Sequence, residues 1–72
     1  MDTSRLRTEL VELRGRLADT DIWIREEGKL PRTPERSGAL SRLYRHRRTL
    51  VKLIRGKALA LGVPVPPEAR RP

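Results

Sequence analysis

The stretch "GKLPRTPE", residues 28–35, decides the fold because it interrupts two long helical patterns. Gly28 is a natural C-terminal cap, since glycine adopts the left-handed conformation at little cost. Pro31 and Pro34 break the helical pattern. Thr33 followed by Pro34 has the order of an N-cap and a first helical position. The stretch therefore predicts that one helix ends and another begins within a short connection.

Apolar residues recur at helical spacing on both sides of this connection. The first helix is predicted over about residues 4–28, and the second over about residues 34–61, where Gly62 and Pro64 form a stop signal. Spacings of four and three are typical of a helix that packs along its whole length on another. The first seam comprises Leu6, Leu10, Leu13, Leu17, Thr20 and Ile24; the second comprises Leu40, Leu43, Arg47, Leu50, Ile54, Lys57 and Leu61, widened by Tyr44, Val51 and Ala58.

The two seams fit an antiparallel register across a short loop. Leu13 is expected to face Leu50, and Leu10 to face Ile54. Arg47 falls within the seam, so its long side chain should turn outward toward Asp21. These patterns predict an all-α fold, an antiparallel two-helix hairpin of coiled-coil type spanning residues 1–62. Residues 63–72 are rich in proline and are predicted to form a flexible tail that is extended or disordered.

A second stripe on the first helix lies well away from the seam. It consists of Val11, Gly15, Ala18 and Ile22, again spaced four, three and four. Small residues at its centre would let another helix approach closely, and a 72-residue chain can bury only a thin core by itself. We therefore expect a homodimer that forms a four-helix bundle through this stripe. The alternative is that these are ordinary exposed apolar residues.

Charge is distributed unevenly along the chain. It carries 17 Lys and Arg against 9 Asp and Glu, a net charge of +8. Residues 1–35 hold 7 basic and 8 acidic side chains, whereas residues 36–72 hold 10 basic and 1 acidic. This segregation predicts an acidic partner for the second half of the chain, such as nucleic acid, an acidic protein or anionic lipid.

The basic residues of the second helix form a row on one side of it. Arginine suits phosphate because its planar fork can bind two oxygens. We therefore expect a binding protein that contacts the phosphates of DNA or RNA. The alternatives are a protein-interaction module, such as a small phage or bacterial accessory protein that docks on an acidic partner, and an ordinary solvated helix face. The row comprises Arg45, Arg48, Lys52 and Arg55, extended by Arg42.

Aromatic side chains are too few to predict base recognition. Trp23 is expected near the turn and away from the cationic row, and Tyr44 is expected to pack against the seam. Stacking of bases on aromatic rings is the usual way to bind single strands. Sequence-specific recognition of single strands is therefore not expected.

No group of residues indicates catalysis. The chain has no cysteine and a single histidine, His46, so neither a thiolate metal site nor a Ser-His-Asp arrangement can be assembled. We expect no enzymatic activity, no cofactor and no bound metal. No apolar run reaches the length of a membrane span, and the N-terminus lacks the apolar core of a signal peptide. A cytoplasmic location is the expectation.

Overall fold

In the computed structural model, which describes residues 3–70, the chain folds into two long helices and a short terminal turn. Helix α1 spans Thr3–Gly28 and helix α2 spans Pro34–Leu61, and a 3₁₀ turn follows at Pro67–Ala69. The helices pack side by side along a rod with extents of 48 × 18 × 15 Å. The prediction of an all-α hairpin is confirmed, and the described residues contain no strand.

The ends of α2 form as the local sequence dictates. The Thr33 hydroxyl accepts a hydrogen bond from the Arg36 backbone N–H at 3.2 Å, and Pro34 occupies the first turn. At the other end, Gly62 has φ of 70° and its N–H donates to the Leu59 carbonyl at 3.1 Å. A residue with a side chain would be strained at this φ, so glycine is what allows the chain to turn back at this point.

The core lies between the two helices and is small. Thr20, one of the seam residues, is buried, and its hydroxyl donates to the Arg16 carbonyl at 2.8 Å. This bond satisfies the Thr20 hydroxyl, which the surrounding apolar packing would otherwise leave unpaired. The buried cluster consists of Leu17, Leu50, Val51, Ile54 and Ala69, with Leu10, Leu13 and Val65 packed against it. Its membership agrees with the predicted register, which places Leu10 and Leu13 opposite Ile54 and Leu50.

The C-terminal segment differs from the expected flexible tail. Over residues 63–70 the chain folds back on the hairpin, with Pro66 and Ala69 buried and Val65 packed on the core. The physical reason is that these apolar side chains cover Val51, while arginines on both helices meet the polar groups of the turn. Proline-rich composition shows that a segment cannot join a helix, but it does not show that the segment lacks a surface to pack on. Residues 71 and 72 of the predicted tail lie outside the described residues.

Across residues 3–70, neither helix has a stretch long and apolar enough to cross a membrane.

Candidate functional site

Arg47 leaves the seam as predicted and joins both helices to the tail. Its Nε donates to Asp21 Oδ1 at 2.7 Å, and its Nη2 donates to the Glu68 carbonyl at 3.2 Å. The Arg47 side chain is only 14% exposed. The predicted pairing with Asp21 is therefore confirmed, and the contact with the tail carbonyl is an addition that the sequence did not indicate.

Arg55 also binds the folded-back tail. Its Nε donates to the Ala69 carbonyl at 3.0 Å, and its Nη2 donates to the Arg70 carbonyl at 3.3 Å. Two N–H donors of the guanidinium thus bind backbone carbonyls of the folded-back segment. Arg55 was predicted to contact phosphate, but in this structure it fastens the tail and contributes only its charge to the outer face of α2.

A small surface cavity of about 180 Å³ opens beside Arg55, and we call it the cation cavity. Arg48 and Lys52 are exposed there, and their side chains make no hydrogen bond or ion pair within residues 3–70. Within residues 3–70 no carboxylate lines the cavity, which combines the charges of its arginines and lysine with the apolar side chain of Val51. Its lining residues are Arg47, Arg48, Val51, Lys52 and Arg55.

The predicted cationic row is split across the outer face of α2. Arg45 is exposed between the two ends, whereas Arg42 lies on the other flank, away from the cation cavity. At about 100° per residue, Arg42 and Arg48 stand about 120° apart around the helix. The row is therefore a diagonal band, and Arg42 belongs to a second cavity.

This second cavity lies at the loop end of the groove between the helices, and we call it the Trp23 cavity. It measures about 460 Å³. Helix α1 contributes Trp23 and Glu27, and α2 contributes Ala39, Arg42, Leu43 and His46.

Trp23 lies near the turn as expected, but it shares its cavity with Arg42, the residue that extends the cationic row. The predicted register, which pairs Leu13 with Leu50 and Leu10 with Ile54, places Trp23 opposite residues 40 and 41, close to Arg42 along α2. The expectation for Tyr44 was wrong, because its ring is 51% exposed instead of packed in the seam. Tyr44 instead lines a surface cavity together with Arg32 and Leu40.

Glu9 on α1 and Glu68 in the tail both pair with cations that lie away from the outer face of α2. The Lys57 ammonium, followed by Arg5, holds the pKa of Glu9 below its ordinary value of 4.5. The backbone N–H of Glu68 itself, and then the Arg14 guanidinium at 2.6 Å, likewise lower the pKa of Glu68. These pairs use cations of the seam and of α1, and none of the carboxylates in residues 3–70 pairs with Arg45, Arg48 or Lys52.

The stripe predicted to mediate dimerisation is open in the single chain. Val11 is 69% and Ile22 is 50% exposed, and Ala18 is exposed as well. A Cβ built on Gly15 would meet nothing within 4 Å. No element of the described chain uses the space over this stripe, so dimerisation through it stays a prediction.

Among residues 3–70, no three histidine, aspartate or glutamate side chains converge as a metal site would require. His46 lines the Trp23 cavity and has one carboxylate, Glu27, beside it there. Absence of enzymatic activity stays a prediction.

Comparison of the chain with protein-family models, with curated proteins and with solved structures finds no match. What the chain binds is therefore inferred from its own side chains.

Proposed function

We propose that this protein is a small non-enzymatic nucleic-acid-binding protein that contacts backbone phosphates through the outer face of α2. The observation that carries the proposal is the cation cavity, in which no described residue pairs with the side chains of Arg48 and Lys52 and none of the described lining residues is a carboxylate. Arg45 extends the same surface. A polyanion would supply the counter-charge that residues 3–70 do not.

Arginine and lysine at these positions suit phosphate for different reasons. A guanidinium binds two phosphate oxygens through parallel N–H donors, while an ammonium acts as a compact point charge. Arg45 and Arg48 retain their whole fork for a ligand, because no described residue accepts a bond from either. The guanidiniums of Arg47 and Arg55 donate to Asp21 and to tail carbonyls, so they add charge without a free fork.

Binding of this kind contacts the backbone and does not depend on base sequence. Each neutralised phosphate releases a counterion, so affinity for B-DNA falls with salt by a log–log slope of about −0.9 per contact. Three contacts from Arg45, Arg48 and Lys52 would give a slope of about −2.7.

The experiment compares two double variants of equal net charge. The first, Arg45→Ala with Arg48→Ala, removes two unpaired cations from the outer face of α2. The control, Arg7→Ala with Arg25→Ala, removes two exposed cations from α1 that likewise make no ion pair in the described chain. Fluorescence anisotropy of a labelled duplex is followed at several salt concentrations. The first variant should bind more weakly to every sequence and lose about 2 from the slope magnitude, whereas the control should stay close to the unmodified protein.

Equal losses in the two double variants would contradict the proposal, because binding would then reflect overall charge alone.

A second candidate function, docking on an acidic protein partner, is favoured by the open stripe of Val11 and Ile22 on α1. In that function the stripe packs on the partner and the outer face of α2 meets its acidic residues. A complex that survives nuclease treatment and is lost in Ile22→Asp would support it.

A further inference from the structure

The Trp23 cavity combines an exposed aromatic ring with charges of opposite sign on its two rims. Trp23 and Glu27 project from α1 one helical turn apart, and Arg42 and His46 project from α2. Ala39 and Leu43, both half-buried, lie between them. An indole that is 57% exposed beside such a groove leaves a large flat surface in contact with water.

These features match the chemistry of an unstacked nucleobase with its phosphate. Every base has a π-face that can stack on an indole, and such stacking tolerates any sequence. The cavity is an open, shallow groove of about 460 Å³, so a base would lie on its surface against the indole without being enclosed. A base pair within a duplex presents no free face to Trp23.

The opposite charges on the two rims would orient a bound nucleotide, with its base toward α1 and its phosphate toward α2. Glu27 on α1 repels phosphate and can accept a hydrogen bond from the amino group of a base. Arg42 on the opposite rim attracts the phosphate of the same nucleotide. Arg45 follows Arg42 on the outer face of α2, so the next phosphate along the strand can continue toward the cation cavity.

We propose that the Trp23 cavity binds one base of single-stranded nucleic acid, with Arg42 on its phosphate. This inference rests on the proposed function, since it assumes that the strand's phosphates lie along the outer face of α2. It goes beyond that function because it makes single strands, loops and strand ends the better ligands. Duplexes bind by the phosphate contacts alone.

Trp23 is the only tryptophan in the chain, so its fluorescence reports on the cavity directly. The probe is a mixed-sequence oligodeoxynucleotide of about 12 nucleotides, within the usual site size of single-strand binders, alone or annealed to its complement. The single strand should quench the indole emission, and the duplex should bind with little quenching.

Trp23→Ala should weaken single-strand binding by about 5- to 150-fold and leave duplex binding unchanged. Tyr44→Ala is the matched control, because it removes another exposed ring that does not line the Trp23 cavity. It should leave both affinities unchanged. Trp23→Phe, followed by anisotropy of a labelled strand, should recover part of the lost affinity because phenylalanine still stacks. Far-UV circular dichroism checks that each variant remains helical.

The possible outcomes separate this inference from the proposed function. Equal affinity for single strand and duplex, without quenching and without loss in Trp23→Ala, would overturn base stacking while leaving phosphate binding in place. Equal losses in Trp23→Ala and Tyr44→Ala would overturn it too, since no specific role would then remain for the cavity. Failure to bind either ligand at moderate salt would overturn the proposed function and the base site together.

Discussion

Replacing Arg55 with alanine tests whether the C-terminal segment is held by side chains of α2. The guanidinium of Arg55 donates to the carbonyls of Ala69 and Arg70 at 3.0 and 3.3 Å. Alanine is at least as good a helix former as arginine, so the substitution leaves the helix itself unharmed. Its effect therefore reports on the contacts with the tail.

The expected loss follows from these two bonds. A hydrogen bond to a charged group contributes about 1.5–3 kcal/mol when it is well shielded from water. Arg55 is exposed, and the bond to Arg70 is long, so we expect a total loss of about 1–2 kcal/mol. For a chain of this size each kcal/mol corresponds to about 4–8 °C, which predicts a Tm lowered by about 4–16 °C.

Arg48→Ala is the matched control because it removes the same charge from the same helix without touching the tail. Its stability should stay within about 0.5 kcal/mol of the unmodified protein. Thermal unfolding is followed by far-UV circular dichroism, and hydrogen exchange is followed at the amides of Ala69 and Arg70, which bond to Pro66 and Pro67 carbonyls. In Arg55→Ala these amides should exchange about 5–30 times faster. If both variants behave alike in melting and exchange, Arg55 does not hold the tail.

Three further outcomes are expected. Arg47→Leu should lower the free energy of unfolding by about 1–3 kcal/mol in thermal melts, because the Asp21 carboxylate and the Glu68 carbonyl both lose their hydrogen-bond donor. An unchanged Tm would show that these bonds contribute nothing. Glu9 and Glu68 have lowered pKa values, so the stability they contribute is present above their ordinary pKa of 4.5 and is lost as pH falls through the lowered values. The Tm should therefore drop below about pH 4.5, and Glu68→Gln should show a smaller drop. Gly15→Leu should convert a dimer to a monomer in light scattering without loss of helicity, and an unmodified protein that is already monomeric at high concentration would refute dimerisation through this stripe.

The hairpin was predictable because its determinants are local. The N-cap at Thr33, the proline after it and the left-handed glycine at residue 62 act on their own neighbours and need no knowledge of the rest of the chain. The register followed from matching two apolar periodicities across a short loop. Even the exit of Arg47 toward Asp21 could be anticipated, since a charged residue in a seam must find a partner or water.

The packing of the tail could not be predicted in the same way. Val65 and Ala69 give no periodic pattern, and their burial depends on a surface beside Val51 that exists only once the helices have paired. The contacts made by Arg55 depend on where two carbonyls fall in space, which spacing along a helix does not reveal. The position of Trp23 was different, because its place near the turn was predicted, whereas its exposure and its cavity shared with Arg42 needed the structure.

The two cavities and the tail are linked by their positions on α2. Arg42 and Lys52 are separated by ten residues, or about 15 Å of helix rise, and they lie on different flanks of the outer face. A strand that reaches both must cross the helix diagonally over Arg45, between the loop end and the folded-back tail. The guanidinium of Arg55 donates to two tail carbonyls and is not free to bind the strand. In the proposed binding mode, Arg48 and Lys52 are therefore the last cations that the strand contacts. Folding of the tail thus completes the core and also determines which cations remain for a ligand.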